Sequence, residues 1–461
     1  MNIKYLIIMS ILLPPATISA EETAEARLAN EAAEGVKVWT LKDCIRHAME
    51  NNISLKKNQV SILSAQEDVM QSKAALLPTL SASTNQSVGW KPWMNSGMST
   101  VTNGTVVNNV NKTYYNGSYS ISSQWTLWNG NRNRNTIKQN RMTLEKAELD
   151  SATNANALKE QIADLYVQIL YLNEAIKVNQ QTLETSKKNE ERGREMVEVG
   201  KMSKADLAQL TAQTKQDEYN IVSAQAQVDK AKTQLRQILE LDANVEFDVY
   251  VTEESDESAL QVIPSLQTVY DNALATRPEI ASGLLAIENQ KLGVKIAKAG
   301  KLPQISLNAS LGTSTTSMNS NDWGKQMKTN FDGMAGLSVS LPLFDNRSTK
   351  TNVNKAQLNV INAELDLQNK RKTLYSTIEG YWIDANTNQQ KFIAATASVE
   401  SMQTSYDLLS EQFRLGLKNI VELMTGKNNL VNAQQNKLQS KYMTILDIQM
   451  LKFYNGEEGE L

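Results

Sequence analysis

This chain is written twice, and that constrains its fold more than any motif in it. Leu41-Lys-Asp-Cys-Ile through Leu76-Leu-Pro78-Thr-Leu-Ser returns, 225 residues later, as Leu266-Gln-Thr-Val-Tyr through Lys301-Leu-Pro303-Gln-Ile-Ser. Further along the spacing becomes 216. Trp125-Thr-Leu-Trp-Asn129 matches Leu341-Pro-Leu-Phe-Asp345, and Val199-Gly-Lys201 matches Leu415-Gly-Leu417. A sequence of two similar units is read as two halves of one structure before single motifs are weighed. The repeat divides the chain into a first unit over 39–242, a linker over 243–264 and a second unit over 265–461.

Proline marks where each unit changes character. None of the eight prolines lies between Pro92 and Pro264 or after Pro342. In the first proline-free interval Leu158, Ile162, Leu165, Ile169, Leu172 and Ile176 alternate spacings of four and three, a heptad seam. Leu374, Ile378, Tyr381, Ala385, Phe392, Ala395, Val399, Met402, Tyr406, Leu409 and Phe413 continue the pattern in the second unit, with Asn388 its only polar interruption. The spacing predicts a helix from about 130 to 199, roughly 105 Å long at ~1.5 Å per residue. Antiparallel return helices follow near 203–242 and 419–454, so the hairpins span about 130–242 and 346–454.

Shorter segments before each hairpin alternate instead with period two. Leu80, Ala82, Thr84, Gln86, Val88 and Trp90 share one face of a strand, as do Tyr119, Ile121, Ser123, Trp125 and Leu127. Ile305, Leu307, Ala309 and Leu311, then Leu337, Val339 and Leu341, are their counterparts. The strand pairs lie at about 79–127 and 304–342. A membrane strand needs ~9 to 11 residues with alternating faces, and these segments are long enough. Trp90, Trp93, Trp125, Trp128 and Trp323 stand at strand ends or in adjoining loops, as interfacial aromatics do. A soluble sheet with surface aromatics is the competing reading. Four strands cannot close a membrane barrel, which begins at ~8, so a spanning chain must assemble with copies of itself.

Composition removes other classes. The net charge of −3 leaves no basic footprint for nucleic acid. Lys4, the apolar run from Tyr5 to Leu13 and Ile18-Ser-Ala20 before Glu21-Glu22 read as a secretory signal over 1–20, followed by an acidic segment over 21–38. The single cysteine, Cys44, excludes an intrachain disulfide. Beyond the signal no run reaches the ~18 apolar residues of a membrane helix, which leaves a β-barrel as the only way to span. Cys44-x-x-His47-x-x-Glu50 lies on a short amphipathic helix and does not converge on one metal ion. The Gly-Lys pairs at Gly200, Gly300 and Gly426 lack the upstream glycine of a phosphate loop. No catalytic constellation and no cofactor site is expected.

With the duplicated strand pairs and long hairpins, the Leu-Pro start of each strand pair, and the reversals at Val199-Gly200 and Leu415-Gly416, the chain resembles the TolC-type outer-membrane efflux proteins over nearly its whole mature length. The resemblance implies a mixed membrane α+β fold. Three chains would each give four strands to a twelve-stranded outer-membrane β-barrel, continued by a periplasmic α-helical barrel. It also implies a passive exit duct of a tripartite efflux or type I secretion system, docking a periplasmic adaptor and an inner-membrane transporter. Val199, Gly200, Lys201, Leu415, Gly416 and Leu417 match the family's adaptor-docking Val-Gly-Leu tips, with Lys201 departing from that pattern. Glu422 aligns with an aspartate that rings the tunnel mouth, and Thr425 stands at the second ring position. Lys418 aligns with an arginine that pairs with an acid at Asp206, and Phe413 replaces a frequent tyrosine. Asp206 and Lys418 are therefore expected to latch the mouth between neighbouring hairpins. Helix capping alone also accounts for the two acids: Ser203-Lys-Ala-Asp206 and Asn419-Ile-Val-Glu422 have capping-box spacing. A soluble periplasmic adaptor and a structural coiled coil are the alternatives, and neither needs duplicated Trp-edged strands.

Overall fold

A computed structural model of the chain describes residues 37–93, 100–102, 105–107, 112–242, 244–245, 247–251 and 255–457. The expected signal over 1–20 and residues 21–36 of the acidic segment lie outside the described residues, as do Glu246, Glu253 and Glu254 of the linker.

The chain opens with β1 (Lys37–Trp39), α1 (Leu41–Asn51) and α2 (Ile53–Ala74). Strand β2 (Thr79–Trp90), the short pair β3 (Thr100–Thr102) and β4 (Thr105–Val107), and β5 (Thr113–Trp128) follow. Helices α3 (Arg132–Glu198) and α4 (Lys204–Ile238) form the first long hairpin. After β6 (Phe247–Val249) and a 3-10 turn at Asp256–Leu260, the order recurs as α5 (Leu266–Thr276), α6 (Pro278–Lys298), β7 (Gln304–Thr316), α7 (Trp323–Thr329), β8 (Asp332–Ser340), α8 (Ser348–Arg414) and α9 (Ile420–Tyr454). Helices α3 and α8 each have 67 residues, and α4 and α9 each have 35. At ~1.5 Å per residue the longer pair spans roughly 100 Å.

The heptad seams are what these helices bury. Leu158, Ile162, Ile169, Leu172 and Ile176 lie inside the first hairpin, and Leu374, Ile378, Ala385, Phe392, Tyr406 and Phe413 inside the second. Near the sheet the neighbours run α2, α3, α6, α8; toward the hairpin tips they run α4, α3, α9, α8. A belt crosses the middle: β1 pairs in parallel with β6, and Trp39, Phe247 and Val249 pack with Tyr166 of α3, whose hydroxyl donates to the Tyr250 carbonyl at 2.8 Å. Among the described residues no helix is long and apolar enough to cross a membrane.

Strands β2, β5, β7 and β8 form one antiparallel sheet in that order. Its register sorts side chains by polarity, because residues directly opposite one another share a face. Ala82, Ile121, Leu311 and Gly333 line up across the four strands on one face, as do Trp125, Leu307 and Leu337. Ser81, Ser122, Ser310 and Met334 line up on the other, beside Thr79, Gln124, Asn308 and Gly336. Ser81–Ser122 and Ser83–Ser120 hydroxyl pairs at 2.9 and 2.8 Å run along the polar face. One irregularity shifts the expected alternation. The register slips between Thr126 and Trp128, so Trp128 rather than Leu127 sits opposite Ile305. A bulge of this kind adds one residue and increases local twist.

Candidate functional site

Each hairpin reverses at a glycine that the backbone requires. Gly200 has φ +72° and Gly416 φ +73°, the left-handed region that an L side chain enters at a cost. The Gly200 N–H donates to Val197 O at 3.0 Å and the Lys201 N–H to Met196 O at 2.8 Å. Gly416 N–H to Phe413 O at 3.0 Å and Leu417 N–H to Gln412 O at 2.9 Å repeat the arrangement. This pair of bonds is the Schellman closure, which satisfies carbonyls that a helix end would otherwise leave open. It turns Val199, Leu415 and Leu417 outward, 67%, 59% and 71% exposed, with Lys201 exposed beside them. Apolar side chains this open at the end of a 100 Å arm form a surface suited to a partner.

The return helices start with different chemistry. Asn419 and Glu422 form a full capping box: the Asn419 side chain accepts from Glu422 N–H at 3.0 Å, and the Glu422 carboxylate accepts from Asn419 N–H at 3.2 Å. Ser203 accepts from Asp206 N–H at 3.1 Å, but Asp206 takes the Ser203 hydroxyl at 2.7 Å instead of a backbone N–H. Serine can donate as well as accept, and here its hydroxyl bonds to the Asp206 carboxylate. Within the chain Asp206 and Lys418 are not paired. Lys418 Nζ lies 2.5 Å from Glu422 of its own helix start. That hydrogen bond, with the Asn419 N–H, holds the Glu422 carboxyl below the usual glutamate range. Phe413 is buried beneath the second tip with Ile420, Leu423, Tyr406 and Leu210, and so ties the two hairpins together.

A buried ion pair also joins the hairpins, and sequence reasoning missed it. Lys427 of α9 bonds to Asp217 of α4 and to Ser186 of α3, with the three residues 4%, 5% and 3% exposed. Ser186 donates to Asp217 at 2.6 Å and Gln213 donates to its other oxygen at 2.9 Å, so the carboxylate is fully engaged. Burial lowers the Lys427 pKa, against the pull of Asp217. Asn189 adds a bond to the Tyr406 hydroxyl at 3.2 Å. The signal was in the seam itself. Ile420, Leu423, Lys427 and Leu430 keep the heptad spacing, so a lysine occupies a core position, where a polar residue fixes register at a cost in stability.

The Cys44 motif is structural. Cys44 is fully buried, its thiol pushed up to about 12 by burial and by Asp43. His47 packs edge-on against Trp39 at 4.9 Å. Among the described residues no group of three His, Cys, Asp or Glu could hold a metal ion.

A sheet with one apolar and one hydroxyl-rich face, continued into four long helices whose far tips present apolar side chains, defines a membrane channel with a long soluble extension. The outer membrane efflux protein family model matches residues 44–240 and 269–456, and the chain belongs to that family. It is thus an outer-membrane protein, with its helices on the periplasmic side. Toxin and drug export protein A of Aggregatibacter actinomycetemcomitans is 22% identical over 436 residues, covering 92% of this chain and 88% of that protein. Outer membrane protein TolC of Escherichia coli K12 is 25% identical over 173 residues, and the match spans only 36% of this chain and 35% of that protein. The solved CmeC outer membrane channel of Campylobacter jejuni shares the fold, with TM-score 0.72 and 20% identity over 90% of this chain and 86% of that one.

Proposed function

We propose that this chain is the passive outer-membrane exit duct of a tripartite efflux or type I secretion system. Three copies each contribute four strands to a twelve-stranded barrel and two hairpins to a periplasmic tunnel. The observation that carries this is the open sheet. Strands β2 and β8 each have one unpaired edge, the register segregates an apolar from a hydroxyl-rich face, and an unpaired edge is not tolerated in lipid. Closure by further copies pairs those edges, turns Leu80, Ile121, Leu307 and Leu337 to lipid and gives Ser81, Ser122, Asn308 and Ser310 to the lumen.

In this reading the division at 39–242, 243–264 and 265–461 separates two similar units that wrap one tunnel. Val199, Gly200, Lys201, Leu415, Gly416 and Leu417 dock a periplasmic adaptor, and an inner-membrane transporter supplies the energy. Glu422 rings the tunnel mouth, where three carboxylates on one axis favour cations. Lys418, Asp206 and Phe413 shape that mouth, with Asp206 and Lys418 reaching each other across neighbouring hairpins. The names of the relatives support both drug and protein cargo: one is a toxin and drug export protein, another an alkaline protease secretion protein.

Three measurements test the reading. Purified protein in planar bilayers should give discrete conductance steps, and a heat-resistant trimer should appear in outer-membrane extracts. A photo-crosslinker at Leu417 in intact cells should capture a periplasmic adaptor. A membrane-assembled protein that conducts but captures nothing at either tip would remove the docking role and leave a free-standing pore.

A further inference from the structure

Helix α7 is a built feature to which the duct reading gives no role. It lies in the β7–β8 connection, at the end of the sheet away from the long helices. Asp322 caps it at Lys325 N–H, 3.3 Å away. Gln326, 4% exposed, receives the Thr316 N–H at 2.7 Å and donates to the Thr316 and Asn321 carbonyls at 3.0 and 2.7 Å. Thr313 donates to Met327 O at 2.8 Å, and Asn330 to Ser314 O at 2.6 Å. Trp323 meets the Tyr119 ring edge-on at 6.2 Å. Thr313 and Tyr119 sit opposite one another and share the face of Leu311 and Ile121. The helix is therefore strapped to the outward face of the sheet.

Its height is set by the strand beneath it. Thr313 is the tenth residue of β7, where a membrane strand of ~9 to 11 residues reaches the far interface. There the outward face stops being apolar: Leu307, Ala309 and Leu311 give way to Thr313 and Thr315. From this position Trp323 and Phe331 are 56% and 61% exposed, with Lys325 and Lys328 exposed alongside. Among the described residues neither lysine enters an ion pair: the two acids of this connection are Asp322, which caps α7 through the Lys325 N–H, and Asp332 at the start of β8. The neighbouring β2–β5 connection adds Lys91 and Lys112 and holds no Asp or Glu from 91 to 112. Apolar rings beside lysines that lack acidic partners match a membrane interface whose headgroups are anionic.

We propose that α7 is an outer-leaflet strap that binds the phosphorylated headgroup of a surface glycolipid, with Lys325 and Lys328 on its phosphates and Trp323 and Phe331 at its acyl boundary. The partner follows from position. The long helices lie on the periplasmic side, so this end of the sheet meets the outer leaflet, where phosphorylated glycolipid is the abundant anion. The charge is continuous with the apolar band below it, so one amphiphile contacts both. The inference rests on the barrel reading above.

The test titrates purified full-length protein in detergent with phosphorylated lipopolysaccharide, with the same glycolipid stripped of phosphate, and with phosphatidylglycerol. Wild-type protein should prefer the phosphorylated glycolipid. Lys325→Gln with Lys328→Gln should weaken binding roughly tenfold or more, while Lys325→Arg with Lys328→Arg should retain it. Unchanged binding by the glutamine variant, or equal binding of the phosphate-free glycolipid, overturns the proposal. Equal binding of phosphatidylglycerol also overturns it, since any anionic surface would then suffice. Conductance in planar bilayers is recorded on the same preparations. A protein that conducts without the preference refutes the strap alone, and one that never inserts refutes the barrel.

Discussion

The two hairpins have equal helix lengths, yet at one crossing they exchange partners. In the first, Gly193 of α3 receives Leu210 of α4: a Cβ built on the glycine would lie 2.5 Å from Leu210 Cδ1. In the second, Gly426 of α9 receives Leu409 of α8, with the built Cβ 2.6 Å from Leu409 Cδ1. At the spacing of 216, Gly193 corresponds to Leu409 and Leu210 to Gly426. Large and small have changed sides while their combined volume is kept. What the crossing conserves is close packing between two helices, since cores tolerate substitution when volume and pattern are preserved.

Polar core positions show the opposite behaviour, because they are not shared between the halves. Lys427 corresponds to Thr211, and its partner Asp217 to Ala433. The ion pair thus belongs to the contact between hairpins rather than to either one, and it is where the comparison is easiest to break. Lys427→Met should destabilise the assembly by about 3–5 kcal/mol, since Asp217 is left charged, buried and without its counter-ion. Adding Asp217→Leu should recover most of the loss. The melting temperature of the purified protein measures both, and an unshifted single variant would show that the pair contributes nothing to holding the hairpins together.

A second asymmetry runs through Asp447, which stands where the first half has Ala231. Asp447 accepts from Asn388 at 2.9 Å, the one polar interruption in the α8 seam. Burial first, then the nearby carboxylates Asp384 and Asp164, push its pKa up to about 6. A carboxyl whose folded pKa is raised contributes stability below its unfolded pKa near 4 and loses it as pH rises through 6. Asp447→Asn should therefore raise stability at pH 7 by on the order of 2 kcal/mol, with the gain vanishing below pH 4. Melting curves across that range check it, and a gain that does not vary with pH would remove burial of the charge as its cause.

Much of this was legible in the sequence, for identifiable reasons. The heptad spacing of Leu158 to Ile176 and of Leu374 to Phe413 placed both seams, because periodicity in a helix is a direct record of which face is buried. The reversals at Gly200 and Gly416 were legible because a left-handed helix end nearly demands glycine. The Lys427–Asp217–Ser186 contact was not, since it needs three helices at one height, and a single sequence gives no register between distant segments. The same limit applies to Asp206 and Lys418. Their pairing is implied by the family resemblance and not by spacing, and within one chain each bonds at its own helix start. Leu127 was set on the strand face by parity, and a bulge, which parity cannot register, moved Trp128 into that line.

The exchanged crossing makes a sharper prediction than either hairpin alone. Gly193→Ala and Gly426→Ala should each change stability by less than about 1 kcal/mol, since only the flexible end of a leucine must move and alanine's helix propensity offsets that shift. Gly193→Leu combined with Leu210→Gly rebuilds in the first hairpin the arrangement found in the second. It should melt within about 1 kcal/mol of wild type, although Gly193→Leu alone should be the worst of the set. If the double exchange is no better than Gly193→Leu alone, the correspondence between the crossings is accidental.

A smaller effect than that of Gly193→Leu lies at the tips, where the proposed docking triplets differ modestly between Val199 and Leu415 and in charge between Lys201 and Leu417. Leu417 offers an apolar surface and Lys201 a charge that must stay hydrated, so a partner burying both tips gains less at the first. Lys201→Leu should strengthen adaptor docking by about 1 kcal/mol, roughly fivefold in affinity, a fraction of what burying a leucine side chain supplies. Leu417→Lys should weaken docking by at least as much, because the ammonium is desolvated without a partner. Crosslinking yield at Val199 and Leu415, titrated against adaptor expression, reads the two changes separately. Gains and losses of equal size would mean that the tips are used alike and differ only in chemistry. A loss from Leu417→Lys with no response to Lys201→Leu would mean that only the second hairpin docks, leaving the first free to carry its lysine without penalty.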